Sequence, residues 1–389
     1  MAKAEMMADP SPWMTDELNI LQESVARFVH RELVPRRECW ERDGQVDAAA
    51  WECAADAGIL CASIPEEYGG GGGNLAHEAV IHQELCRAGL GGSFGIANTI
   101  HSAIVAHYVL AYGTEQQKLR WLPAMASGRM VGAIAMTEPG AGSDLQGVRS
   151  RASAVEGGWL LNGSKIFISN GQTAKLVIVV ARTGDARDAK GVSLLVVETD
   201  QADGFRRGRN LEKLGLHGQD TSELFFDDVF VPAENLLGVE GGGFGQLMNQ
   251  LAWERMIIAL DAVVNMERAV HLTTDYVRER KAFSKPLFEF QNTQFVLAEC
   301  ATQATVARAF VDSLMVRLLA GGLDAVTSAK AKLWCTDAQC RVIDACQQLF
   351  GGYGYMTEYP ISRLFADARA SRVYGGANEI MKTIIARAL

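Results

Sequence analysis

No two of the eight cysteines (Cys39, Cys53, Cys61, Cys86, Cys300, Cys335, Cys340 and Cys346) form a C-x-x-C pair. Neither a zinc nor a disulfide framework is therefore expected, and the thiols read as reduced and mostly buried. Basic residues are in deficit: 37 Lys and Arg stand against 46 Asp and Glu, a formal net charge of −9. That balance argues against a nucleic-acid surface and a polybasic membrane patch. No apolar run is expected to reach the length of a membrane span. The opening MAKAEMMADPSPWMTDEL has neither the apolar centre of a secretory signal nor the Arg- and Ser-rich character of a transit peptide. The expectation is a protein of a reducing compartment, most simply cytoplasmic. Two nucleotide signatures are also missing, since no G-x-G-x-x-G follows a strand and no Walker loop occurs.

What is present is an ordinary globular composition, 48% hydrophobic and 21% charged over 389 residues, enough for two or three domains. From Thr15 to Val34 the apolar Leu18, Leu21, Val25 and Phe28 recur at helical spacing, with Pro35 as a stop. Residues 47–59, 74–88 and 93–112 repeat the pattern. The middle changes period. RSRASAVEGGWLLNGSKIFISNG reads as three strands joined by turns at Gly157-Gly158 and Asn162-Gly163, and KLVIVVAR, GVSLLVVET and ELFFDDVFVP follow as further strands. No helix interrupts them, which predicts an antiparallel, barrel-like β domain. Helical period returns at 244–281, 288–319, 324–349 and from about Ala377, as a C-terminal four-helix bundle. The fold class is thus α+β in the order α, β, α, with domains at 1–133, 134–243 and 244–389.

The most informative stretch is AMTEPGAGSDLQG, residues 135–147, where small residues, backbone donors and the hydroxyls of Thr137 and Ser143 could cradle an anion or the polar edge of a planar ring. Glu138 and Asp144 in it read as turn and cap formers. His101, His107 and His217 lack metal or triad partners at useful spacing and read as structural.

AMTEPGAGSDLQG resembles the first signature of the acyl-CoA dehydrogenases. QLFGGYGYMTEYPISRLFAD resembles their second, at Gln348, Gly351, Gly352, Gly354, Tyr355, Glu358, Arg363 and Asp367. The resemblance covers essentially the whole chain. It implies an FAD enzyme that oxidises acyl-CoA thioesters to trans-2-enoyl-CoA, assembled as a homotetramer (a dimer of dimers), with an electron-transfer flavoprotein as electron acceptor. By motif, Met136 and Thr137 fall on contacts to the flavin edge, with Gly142 beside them, and Ser143 on a pyrophosphate or substrate contact. Phe167, Ile168 and Ser169 fall on the segment covering the flavin; Phe in place of the commoner Trp keeps the stacking surface and loses an indole N–H. Arg280 matches the arginine that pairs with the FAD pyrophosphate, a task suited to a guanidinium. Phe283, Gln291, Gln348, Gly351, Gly352, Ala377 and Glu379 match further FAD positions. In the segment of Phe283, Ala282 and Ser284 replace the Thr and Gly often seen in the family.

The reaction needs a carboxylate to take the α-proton. Many members supply it directly after the residue matching Tyr374, where this chain has Gly375 followed by Gly376. The long-chain and isovaleryl branches place the base on the first C-terminal helix, and LAWERMIIAL, YGGANEIMK and KLGLHGQDTSEL resemble that pattern. Glu254 is therefore the expected base, with Arg255, Tyr374, Gly375 and Gly376 beside the substrate. Apolar surroundings favour its neutral form once substrate excludes water. Gly375 retains the N–H that the family offers to the thioester oxygen, and its missing side chain is expected to leave room for branched or bulky acyl groups. Two alternatives stay open: an oxidase or monooxygenase of the same fold, and a non-catalytic subunit of a mixed assembly.

Overall fold

The computed structural model describes residues 11–184 and 191–389. They fall into two compact units, Ser24–Leu251 and Ala252–Leu389 with the residues up to Glu23.

In the first unit, strands β1 (Gly132–Ala135), β2 (Arg151–Val155), β3 (Gly158–Ser169), β4 (Leu176–Arg182), β5 (Val192–Glu198), β6 (Phe205–Asn210), β7 (Thr221–Pro232) and β8 (Leu236–Leu237) form one sheet. Its order is β6-β7-β3-β2-β4-β5-β8, with β1 also on β4. Leu176, Ile178, Val180, Leu194 and Val196 pack with Tyr108, Trp121, Leu122 and Met125 of the preceding helices. The alternate residues Val177, Val179, Ala181, Leu195 and Val197 pack with Leu161, Leu224, Phe226 and Val231 of β3 and β7. Both faces of β4 and β5 are buried, which is why their sequences run apolar without alternation.

Two expectations for this unit need correction. Pairing is antiparallel except between β1 and β4 and between β2 and β4, which are parallel. Asn162-Gly163 is not a turn: β3 runs unbroken through it with a bulge against β7. A Cβ at Gly163 would come within 2.3 Å of Ser150 Oγ, so glycine here answers a close approach and not a chain reversal.

The helices before the sheet include Leu75–Arg87, capped by Asn74, and Ala48–Asp56, capped by Asp47. Arg37–Asp43 and Glu115–Ala126 are additional to the sequence reading. Gly91–Tyr112 is long and apolar enough to cross a membrane by length and composition, which corrects the expectation that no apolar run reaches that length. Most of it, 72% of the apolar window, is buried in the fold, as in a core helix. His101 on this helix accepts from Gly132 N at Nδ1 and faces Met125 O at Nε2, tying helix to β1. Burial pulls its pKa down to about 4, so it is a neutral structural imidazole.

Asp220, just before β7, is buried and accepts from Gln172 N at 2.6 Å. Burial pushes its pKa up to about 6 against an ordinary 3.8. Below the ordinary value folded and unfolded chains both hold the neutral acid; above pH 6 only the folded chain carries a buried charge. Asp220→Asn should therefore be neutral near pH 4 and gain on the wild type as pH rises to 7, by about 2 kcal/mol, read from denaturation midpoints across that range.

The second unit holds the long helix Gly243–Glu279 from Ala252 onward, then Gln291–Leu319, Ala325–Leu349 and the terminal Asn378–Ala386. A shorter helix, Pro360–Ala368, had no counterpart in the sequence reading. The N-terminal segment is tied here, Trp13 Nε1 and Ser11 Oγ both donating to Asp312.

Candidate active site

In the sheet unit the signature loop leaves the end of β1 and is held from beneath by a buried ion pair. Lys165 Nζ donates to Met136 O at 3.0 Å, Val180 O at 2.6 Å and Glu138 Oε1 at 2.8 Å. Glu138 also accepts from the backbone N–H groups of Arg149 and Ser150, and Ile166 N donates to Thr137 O. Burial works against the Glu138 charge, but Lys165 and these donors hold the carboxyl below its usual range; burial pulls Lys165 down to about 8. The pair fixes the backbone of Met136 and Thr137, while Gly142 and Ser143 stay exposed and a Cβ at Gly142 would meet nothing. Lys165 was not anticipated: a lysine in a strand reads as solvated, and only its pairing with Glu138 marks it.

Phe167 sits in the bulge between Lys165 and Ile168 with φ +61° and is 62% exposed, while Ile168 is buried and Ser169 half-buried. A left-handed aromatic residue costs about 1–2 kcal/mol, and strain of this kind clusters where a surface must be presented.

In the helical unit, Glu254 and Arg255 are 7% and 4% exposed among Trp253, Met256, Ile257 and Ile258. Arg255 Nη1 makes a long 3.5 Å contact with Ala325 O, and its buried Nε has no hydrogen-bond partner among the described residues. Burial disfavours the Arg255 charge and Glu254 favours it. One helical turn beyond Glu254, Ile258 Cδ1 lies 2.3 Å from the place a Cβ at position 375 would take. The expectation of open room at Gly375 is therefore wrong: the Ile258 methyl fills it. Gly375 and Gly376 have φ of +64° and +88°, conformations suited to glycine.

A cleft of about 680 Å³ in the same unit brings together Arg280, Gln348, Gly351 and Gly352 with Tyr276 and Tyr353. The Arg280 guanidinium lies 5.4 Å from the Tyr353 ring centre, and Tyr276 stacks on Phe350 at 4.2 Å. A Cβ at Gly351 or Gly352 would meet nothing within 4 Å, leaving a backbone cradle beside a cation. Such a site fits a phosphate-bearing cofactor with an aromatic base. Phe283, Gln291, Ala377 and Glu379 are not among its lining residues. Phe283 is 92% exposed, Gln291 opens the helix Gln291–Leu319, and Ala377 precedes the terminal helix, whose first turn carries Glu379.

Phe283 and Ser284 form the two-residue loop of a hairpin in which Ala282 faces Lys285, with φ of +51° and +68°. That turn favours glycine at its second position. Ser284→Gly should raise stability by about 0.5–1 kcal/mol, measured as a shift in denaturation midpoint, without altering the cleft.

Profiles of the acyl-CoA dehydrogenase N-terminal, middle and C-terminal domains match residues 15–129, 133–229 and 241–389. The chain belongs to the acyl-CoA dehydrogenase family, whose α, β, α domain order it shares. Among its relatives, the long-chain specific acyl-CoA dehydrogenase of Rattus norvegicus is 46% identical over 375 residues, covering 96% of this chain and 86% of that protein. The isovaleryl-CoA dehydrogenase of Oryza sativa subsp. japonica is 34% identical, covering 95% and 90%. The crystal structure of an acyl-CoA dehydrogenase from Geobacillus kaustophilus superposes with a TM-score of 0.94 at 42% identity, covering 97% of this chain and 99% of that one.

Proposed function

We propose that the protein is an FAD-dependent dehydrogenase that converts a medium-chain, long-chain or branched acyl-CoA to its trans-2-enoyl-CoA, with Glu254 as the base. The observation that carries this reading is the pairing of a buried carboxylate at Glu254 with a glycine at 375 whose side-chain place Ile258 already occupies. No second carboxylate could stand at 375 without moving that methyl. The greater identity to a long-chain relative than to an isovaleryl one supports a long acyl chain.

Bound FAD supplies the acceptor for the β-hydrogen that leaves as hydride. Glu254 takes the α-proton, and the charge that develops on the thioester oxygen is met by the Gly375 N–H. Met136, Thr137, Gly142, Phe167, Ile168 and Ser169 serve the flavin ring, with Ser143 at pyrophosphate or substrate. Arg280, Gln348, Gly351 and Gly352 serve the phosphates and adenosine, with Phe283, Gln291, Ala377 and Glu379 at the margins of the cofactor. Arg255 and Tyr374 order the substrate end of their segments. A homotetramer is the proposed assembly and an electron-transfer flavoprotein the proposed acceptor; a solved structure 33% identical to this chain is described as the electron transferring flavoprotein of Acidaminococcus fermentans.

The deciding experiment is to purify the protein, record its visible spectrum and follow anaerobic bleaching with straight, branched and cyclic acyl-CoAs. Bleaching by one or more of these acyl-CoAs, followed by slow reoxidation in air, is the expected result. A colourless protein, or one bleached by no thioester, would overturn the reading, and fast reoxidation would make it an oxidase.

A further inference from the structure

Lys332, on the helix Ala325–Leu349, is 0% exposed, and none of the roles above uses it. Its Nζ donates to Gly376 O at 2.8 Å and to Asn378 Oδ1 at 2.8 Å, both neutral acceptors. A buried ammonium without a carboxylate at hydrogen-bond distance is costly and is retained only where something requires it. The orientation of its second acceptor is fixed independently. Asn378 Nδ2 donates to Thr336 Oγ1 at 3.0 Å and Asp337 Oδ1 at 3.1 Å, so the amide oxygen is turned to Lys332, and Asp337 is itself held by Arg372 Nε at 2.7 Å.

The segment so gripped is poorly able to hold itself. Consecutive glycines with positive φ have wide conformational freedom, and an unsupported Gly375-Gly376 turn would sample many states. Among the described residues, Ile258 Cδ1 lies against Gly375, Met381 Cε against Gly376, and Lys332 on the Gly376 carbonyl. Of these, the last is polar and charged. The other charges that act on Lys332 are Arg255 of the long helix, Arg372, Asp337 of its own helix and Glu379 of the terminal helix, two cations against two anions. The Lys332 charge is therefore not cancelled by its surroundings.

We propose that Lys332 is a positioning residue of the reaction: it locks the Gly375-Gly376 turn through the Gly376 carbonyl and keeps a positive charge on the segment whose Gly375 N–H meets the thioester oxygen as negative charge develops there. This rests on the function proposed above. A fixed charge at that place favours the enolate over the neutral thioester, so it acts on the proton-transfer step more than on binding.

The test uses the flavin-loaded protein and its Lys332→Gln and Lys332→Met variants with a 3-thia-acyl-CoA, whose sulfur at the β position blocks hydride loss while acidifying the α C–H. Its deprotonated form, lying against oxidised flavin, gives a long-wavelength absorbance that is titrated against pH. Both variants should raise the midpoint by about one unit, roughly tenfold less deprotonated ligand at a fixed lower pH, with ligand affinity below the midpoint little changed. Amide exchange over residues 373–381 should be faster in Lys332→Met than in the wild type, with Lys332→Gln between them. An unchanged midpoint together with unchanged exchange would overturn the inference. Should neither variant fold, the wild type decides alone. Burial pulls Lys332 down to about 8, so its charge is present below that pH and lost above it. The bleaching rate should then fall as the Lys332 charge is lost with rising pH, and a rate that stays flat through the pH at which Lys332 itself is seen to titrate would overturn the inference. If the wild type bleaches with no thioester, the reading of the reaction falls instead, and the exchange experiment still judges the clamp.

Discussion

Glu254→Gln should slow substrate-dependent bleaching of the flavin by about 10²- to 10⁴-fold, the usual contribution of a positioned base. The substitution keeps side-chain volume and a polar head in a site that is 7% exposed, so packing around Trp253 and Ile258 should survive. What it removes is the proposed proton acceptor and the anion that favours the Arg255 charge. A modest stability loss should accompany the rate loss, because Arg255 is buried and burial already disfavours its charge. The two effects separate cleanly: flavin content and substrate affinity should stay near wild type while the rate constant for bleaching collapses, the pattern of a group used chiefly in the transition state. Glu254→Asp, with the carboxylate drawn back by one methylene, should fall between. Bleaching within a few-fold of wild type in Glu254→Gln would leave the assignment untenable.

The sequence made the large elements legible because their periods are unambiguous. The long helices repeat apolar residues at three and four, and β4 and β5 are apolar runs too short for helices. Elements whose sequence carries no such period escaped. β1 is only Gly132–Ala135, and β6, Phe205–Asn210, is mostly exposed and arginine-rich, held by backbone pairing with β7 and by Phe205, its only apolar side chain. The candidate site divides in the same way. The two signature segments could be recognised along the chain, since loop and cradle are contiguous there. Interactions that couple distant positions could not: Lys165 beneath Met136, Lys332 beneath Gly376 and Ile258 over Gly375 each look like an ordinary strand, helix or core residue until the fold brings them together. The error at Gly375 has the same root. A missing side chain reads as empty space, but close packing in an interior usually fills such space from elsewhere.

The occupied place at 375 supports the second large effect. Gly375→Glu should destabilise the protein by about 2–4 kcal/mol, combining the cost of a left-handed non-glycine residue with overpacking against a methyl only 2.3 Å from the new Cβ. Ile258→Ala alone should also destabilise, by about 2–4 kcal/mol, since it opens a cavity among buried residues. Together the two should cost at least about 1 kcal/mol less than their sum, because the glutamate stem enters the space the isoleucine vacates. Additive losses in the double-mutant cycle would show that the two positions do not share that space. The chemical counterpart uses Glu254→Gln as background. If position 375 faces the same substrate carbon as Glu254, adding Gly375→Glu with Ile258→Ala should restore bleaching by tenfold or more, whereas Gly375→Glu added without trimming Ile258 should restore little, its carboxylate being displaced by the methyl that now fills the site.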